Sequence, residues 1–132
     1  MPLLKTFIVE DSPVIRDNLI AALEELAPVK VVGTAEDEAG AIESLSRADR
    51  PFDLVIVDIF LKGGSGLGVL RRMGGLQRGA KRVVLSNYTT PDMRRKCLEL
   101  GADKVFDKSD EIDALIQYCI GLGHAALTDE VV

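Results

Sequence analysis

Tryptophan is absent from this 132-residue chain, and aromatic residues make up only 5% of it. That is too few to build a platform on which nucleic-acid bases could stack. An excess of positive charge is missing as well. Sixteen Lys and Arg stand against 21 Asp and Glu, a net charge of −5, which argues against nucleic acid as a direct partner. The single histidine, His124, lies outside the strand-and-helix pattern and is a poor candidate for catalysis or metal binding. Cys97 and Cys119 form no CxxC pair and fall in helical patterns, so they read as buried or half-buried thiols of a reducing cytoplasm. No apolar run is long enough to span a bilayer, and Met1-Pro2-Leu3-Leu4-Lys5 leads into a strand rather than a signal peptide. The expectation is a cytoplasmic protein with no membrane partner. No GxxxxGK[ST] or GxGxxG follows a strand, so flavin and nucleotide binding have little support.

What is present is a core. At 47% hydrophobic, 132 residues suit one domain with no room for a second. Short apolar runs rich in β-branched residues alternate with segments of helical period. The strands are read at Phe7-Ile8-Val9, Val29 to Ala35, Phe52 to Asp58, Lys81 to Ser86 and Ala102 to Asp107.

Between them, Ser12-Pro13 and Thr90-Pro91 each read as a cap followed by proline at the first helical position. The first helix carries Ile15, Leu19, Ala22, Leu23 and Leu26, and Pro28 stops it. The second opens at Glu36-Asp37-Glu38 with Ala39, Ile42 and Leu45 as its stripe. The third follows Gly63-Gly64-Ser65-Gly66-Leu67-Gly68 and carries Leu67, Leu70 and Met73; its glycines make it the weakest. The fourth carries Met93, Cys97 and Leu100. Ser109 can cap the fifth, whose stripe is Ile112, Leu115, Ile116, Cys119 and Ile120 and which Gly121 and Gly123 end. Residues 1–123 make the domain, and 124–132 read as a flexible tail. Five such βα units predict an α/β fold, a doubly wound five-stranded parallel sheet with helices on both faces.

In such a sheet, function gathers outside the carboxyl ends of the strands, at the topological switch. Glu10-Asp11, Asp58, Ser86 and Lys108 each stand at a strand end. Taken singly, an Asp there is a turn former and a Ser or Lys is solvated. The set of them, on four strand ends in consistent order, makes one site. Three carboxylates in one pocket repel, and a hard divalent cation with oxygen ligands, Mg²⁺ or Mn²⁺, relieves this. A carboxylate beside that ion can attack phosphorus, with Lys108 and Ser86 to hold phosphoryl oxygens.

At these residues the chain resembles the receiver domains of bacterial two-component response regulators, the chemotaxis-regulator-like family. The likeness runs from Lys5 to Gly123. It rests on Val9-Glu10-Asp11-Ser12, Val57-Asp58-Ile59, Gly63-Gly64-Ser65-Gly66-Leu67, Leu85-Ser86 and Gly101-Ala102-Asp103 followed by Lys108. The resemblance implies the flavodoxin-like strand order 2-1-3-4-5. It also implies a phospho-acceptor at Asp58, a metal held by Glu10, Asp11, Asp58 and the Phe60 backbone carbonyl, and Ser86 and Lys108 as the switch hydroxyl and the lysine of the site. A histidine kinase, a histidine phosphotransfer protein or a small acyl phosphate would supply the phosphoryl group. An unidentified downstream protein would read the signal, and some members dimerise when phosphorylated. The chain would assist its own phosphorylation and slow dephosphorylation without being an enzyme.

Departures from the family are equally legible. Val105 stands where a switch Tyr or Phe is frequent, and Phe106, one residue on, is expected on the opposite face in the core. Lys62 and Ser109 replace common prolines, and Asn87 replaces a small residue. Phe60 and Tyr88, two past Asp58 and Ser86, put rings where side chains in the family orient hydrolytic water, so slow loss of the phosphoryl group is expected. Two other readings compete. One is a phosphorylation-independent interaction module, which Val105 leaves open. The other is an aspartyl-phosphate phosphohydrolase, weakened because Phe60 occupies the place of its second acid.

Overall fold

Alternation along the strands sorts the apolar residues onto two faces of one sheet. In the computed structural model, residues 3–47, 51–87 and 89–131 are described, with the side chains beyond Ala125 left aside. Five parallel strands, β1 (Leu4–Val9), β2 (Val29–Ala35), β3 (Leu54–Val57), β4 (Lys81–Ser86) and β5 (Lys104–Asp107), stand in the order β2-β1-β3-β4-β5. Helices α1 (Pro13–Leu26), α2 (Glu38–Leu45), α3 (Gly66–Leu76), α4 (Pro91–Glu99) and α5 (Ile112–Val131) follow the strands in turn. This is the flavodoxin-like doubly wound fold expected from the sequence, with its switch point between β1 and β3.

Ile8, Leu54, Ile56, Val83, Leu85 and Phe106 face α1 and α5, packing on Leu19, Leu23, Leu115 and Cys119. Their neighbours face the other way: Phe7, Val9, Val55 and Val57 meet α2 and α3, and Val84 and Val105 meet Leu70 and Cys97. Phe106 therefore lies in the core, across the sheet from Val105 as period two requires. Its ring centroid sits 6.0 Å from that of Tyr118. Both cysteines are buried free thiols, and burial pushes the Cys119 thiol up to about 12.

Local chemistry sets the helix starts. The Ser12 Oγ accepts from the Ile15 amide at 3.3 Å and the Thr90 Oγ1 from Met93 at 3.1 Å, each with proline at the next position. Elsewhere the boundaries shift. The third strand begins at Leu54 rather than Phe52, because the Phe52 amide donates instead to the Gln77 side chain at 3.2 Å. The fifth begins at Lys104 rather than Ala102, whose amide closes the end of α4 on Cys97. Within Glu36-Asp37-Glu38, Asp37 caps α2, accepting from the Gly40 amide at 2.7 Å, and the helix begins at Glu38. The buried face of α2 is Ala41 and Leu45, with Ala39 exposed.

Ser109 does not cap α5. Its amide and hydroxyl both donate to the Asp107 carboxylate, which folds 107–109 into a side-chain-closed turn and delays the helix to Ile112. At the other end α5 does not stop at Gly121 and Gly123 but continues to Val131. A glycine costs a helix only about 1 kcal/mol, and no proline follows to break it. Gly123 lets α5 pass close to the turn after α1, since a Cβ there would come within 3.2 Å of the Pro28 Cβ. Ile15, Leu26 and Ile120, assigned by periodicity to buried stripes, are exposed at the stripe edges. Among the described residues no helix is long and apolar enough to cross a membrane.

Candidate functional site

Register brings the charged strand ends together. Val9 pairs with Val57, so the next residues, Glu10 and Asp58, emerge side by side, and the Asp58 amide donates to the Val9 carbonyl at 3.0 Å. On the far side Ser86 pairs with Asp107, and the Lys108 amide continues the ladder onto the Ser86 carbonyl at 3.0 Å. Four strands thus deliver their terminal side chains to one cleft of about 300 Å³, lined by Glu10, Asp11, Ser12, Ile15, Asp58, Phe60, Asn87 and Lys108.

Asp58 is buried, and both of its oxygens are engaged. The Ser86 hydroxyl donates to Oδ1 at 2.8 Å, and the Phe60 amide to the same oxygen at 3.2 Å. Lys108 Nζ donates to Oδ2 at 2.7 Å and also to Glu10 Oε1 at 2.5 Å. Glu10 is buried and takes a further bond on Oε2 from the Ser12 amide at 3.1 Å. Asp11, half-buried, accepts from the Lys62 amide at 2.8 Å.

One ammonium therefore serves two buried carboxylates, with a third close by. Carboxylate oxygens of Glu10, Asp11 and Asp58 all lie within 4.8 Å of one another. Burial pushes the Glu10 carboxyl above its usual range against the pull of Lys108, and the nearby Asp58 charge adds to the rise. Burial alone would lower Lys108, but its bonds to Asp58 and Glu10 outweigh that and raise it. The ammonium is held charged in a pocket that still has more negative charge than it can neutralise. Three converging carboxylate donors with an uncompensated charge fit a hard, oxygen-seeking divalent cation.

The sequence singled out Glu10, Asp11, Asp58, Ser86 and Lys108, and the fold brings all five together. Phe60 stands at the rim, 50% exposed, and an isolated bridge to Ser65 closes the loop that follows it. Tyr88 lies outside the described residues. Gly66 is buried against the site from behind: a Cβ there would come within 2.8 Å of the Asp58 carbonyl carbon and of the Ile59 Cα. Only glycine allows α3 to start that close to the strand end.

Two residues escaped the sequence reading. Glu38, at the start of α2, accepts from the Ser65 amide at 2.8 Å in the loop after Asp58. Arg94 on α4 donates to the Val105 carbonyl at 2.9 Å, the Thr89 hydroxyl at 3.0 Å and the Glu111 carboxylate at 2.5 Å. The one trace of Glu38 was the surplus of glycines facing it. Arg94 belongs to the basic run Arg94-Arg95-Lys96, which the sequence reads as a solvated helix face, whereas its guanidinium is bonded on three sides.

A family model for the response regulator receiver domain matches residues 6–119. A protein-glutamate methylesterase/protein-glutamine glutaminase of Methanospirillum hungatei is 30% identical over 103 residues, covering 76% of this chain and 30% of that protein. The chain spans about half or less of the length of the curated relatives it matches. Among solved structures, a CheY-like receiver domain protein of Methanospirillum hungatei superposes with a TM-score of 0.76 at 23% identity, covering 88% of this chain and 90% of that one. A Burkholderia pseudomallei response regulator, solved with a phosphorylated aspartic acid, a calcium ion and citrate, superposes with a TM-score of 0.75 at 20% identity over 96% of this chain and 74% of that one. With its parallel sheet in the order 2-1-3-4-5, its strand-end acids and a family match over 114 consecutive residues (6 to 119), the chain belongs to the response regulator receiver domains of two-component systems.

Proposed function

We propose that this receiver accepts a phosphoryl group on Asp58 from a histidine kinase, a histidine phosphotransfer protein or a small acyl phosphate, in a reaction that needs Mg²⁺ or Mn²⁺. The observation that carries the reading is the double engagement of Asp58, by Lys108 on one oxygen and Ser86 on the other. Attack by an Asp58 oxygen on phosphorus forms the acyl phosphate, while the phosphorus–nitrogen or phosphorus–oxygen bond of the donor breaks and its electron pair leaves with the imidazole or carboxylate. Lys108 then exchanges its carboxylate partner for a phosphoryl oxygen, and the Ser86 hydroxyl turns to another. Glu10, Asp11, Asp58 and the Phe60 carbonyl would hold the cation, which supplies positive charge to the phosphoryl oxygens when bound.

The protein acts by binding: phosphorylation alters its surface for a downstream protein or for a second copy of itself. The net charge of −5 fits a protein partner better than nucleic acid, and the expected compartment is the cytoplasm where its kinase would work. Incubation with a radiolabelled phospho-histidine phosphotransfer domain tests this. Label should move to the chain only with the divalent cation present and be released by hydroxylamine, as an acyl phosphate is. Label that stays on the donor, or that resists hydroxylamine, contradicts the reading.

A further inference from the structure

The spacing of the glycines after Asp58 does not fit a phosphate cradle, and a side chain fills the space they leave. The Glu38 side chain reaches from the first turn of α2 into a slot walled by Gly64 and Gly68. A Cβ at Gly64 would lie 2.5 Å from the Glu38 Cβ, and one at Gly68 would lie 2.5 Å from the Glu38 carboxyl carbon. Inside the slot Glu38 Oε1 accepts from the Ser65 amide at 2.8 Å, and the Glu38 amide donates to the Gly63 carbonyl at 3.0 Å. Glu38 thus grips the loop from both sides of one residue. Ser65 in turn is bridged to Phe60, and the Gly66 amide closes onto the Ile59 carbonyl at 3.0 Å. The near end of the same loop is tied to the acidic pocket, where the Lys62 amide donates to Asp11 at 2.8 Å.

We propose that Glu38 is a positioning residue for the cation site: it sets the path of the loop from Phe60 to Ser65, and through it the Phe60 carbonyl and the Asp11 carboxylate. This rests on the reading of Glu10, Asp11, Asp58 and Phe60 as the cation's ligands. Gly68 lies inside α3, where alanine is the better helix former, so the helix forgoes stability there while the slot gains room for Glu38. Residues that orient ligands without touching a metal typically change its affinity by about 10- to 100-fold when removed.

The test is Mg²⁺ titration by calorimetry of the full chain, with Glu38→Ala, Glu38→Gln and Gly68→Ala, beside thermal unfolding and amide exchange of the metal-free proteins. Glu38→Ala should bind about 10-fold more weakly and expose the Ser65 amide to exchange. Glu38→Gln keeps an oxygen acceptor and should bind within about twofold of the parent. Gly68→Ala displaces the carboxylate and should weaken Mg²⁺ binding while leaving the melting temperature equal or higher, a split that a merely structural contact would not give. The Glu38→Ala, Gly68→Ala double variant should be no weaker than the poorer single one. Unchanged affinity in Glu38→Ala, or affinity that only tracks melting temperature across the set, overturns the assignment of Glu38. A parent protein that takes up no Mg²⁺ overturns instead the ligand reading beneath it, and the proposal with it.

Discussion

At Asp58 the two carboxylate oxygens differ in what they hold, a neutral hydroxyl and an amide on one and an ammonium on the other. Lys108 carries the larger share of the electrostatics because it also serves Glu10. Replacing it by methionine leaves two buried carboxylates unpaired, a change that costs about 3 kcal/mol in comparable buried pairs. Glu10 fixes the sign of the pH dependence. Its pKa is raised in the folded protein, so its contribution to stability is present below the unfolded value near 4.5 and is lost as pH rises through the folded one. Lys108→Met should therefore be least stable at neutral pH and recover on acidification towards pH 5. Urea unfolding at the two pH values checks this, and a variant that weakens further on acidification contradicts it. The half-exposed Phe60 side chain offers hydrolytic water no hydrogen bond, so Phe60→Asn should shorten the life of the acyl phosphate, by less than the roughly 100-fold of a general acid or base because an amide only orients the water. The decay of the phosphorylated form after the donor is removed measures it; an unchanged half-life removes Phe60 from the account.

Among the elements, α4 is held by a polar side chain as well as by its apolar face. Only Cys97 is fully buried on it, while Arg94 reaches three acceptors on β5, the loop before α4 and the residue before α5. The Glu111 carboxylate it meets also accepts from the Asp107 amide at 2.8 Å, so one polar knot spans α4, β5 and the start of α5. Arg94→Ala should lower stability by about 1–2 kcal/mol, discounted for a pair that is about a third exposed. Arg94→Lys should recover little, since a point charge cannot serve acceptors spread in the plane of a guanidinium. Chemical denaturation of the three proteins tests this, and full recovery by lysine would show that charge alone holds the helix. No part of this knot was legible in the sequence, because its partners lie 5 to 17 residues apart and meet only through the fold. The strands were legible since β-branched runs alternate cleanly, and so were the two Ser/Thr-Pro caps. The end of α5 was not. Gly121 and Gly123 look like a stop, yet Gly123 is where the helix needs room against Pro28, and a short side chain serves both purposes. Ile15, Leu26 and Ile120 misled in the same way: helical period finds a stripe but not its width.

For the whole molecule, the site was more legible than any single helix boundary. A parallel sheet collects the residues that follow its strands, so Glu10, Asp58, Ser86 and Lys108 could be placed together from strand order alone. What strand order could not supply is support from outside the sheet, and Glu38 and Arg94 both act from helices on neighbouring units. The absence of a large ring at Val105 has a molecular consequence too. The valine is buried between Val84 and Cys97, leaving the face between α4 and α5 to the Arg94 knot rather than to a swinging aromatic side chain. The proposed function requires that Asp58 take a phosphoryl group in its acidic pocket. Intact-mass spectrometry after incubation with acetyl phosphate and Mg²⁺ tests that most directly, with Asp58→Asn and a metal-free sample alongside. One added phosphoryl group is expected on the parent protein and none in either control. A folded protein that stays unmodified in all three samples, or an Asp58→Asn variant that is still modified to the same extent, would contradict it.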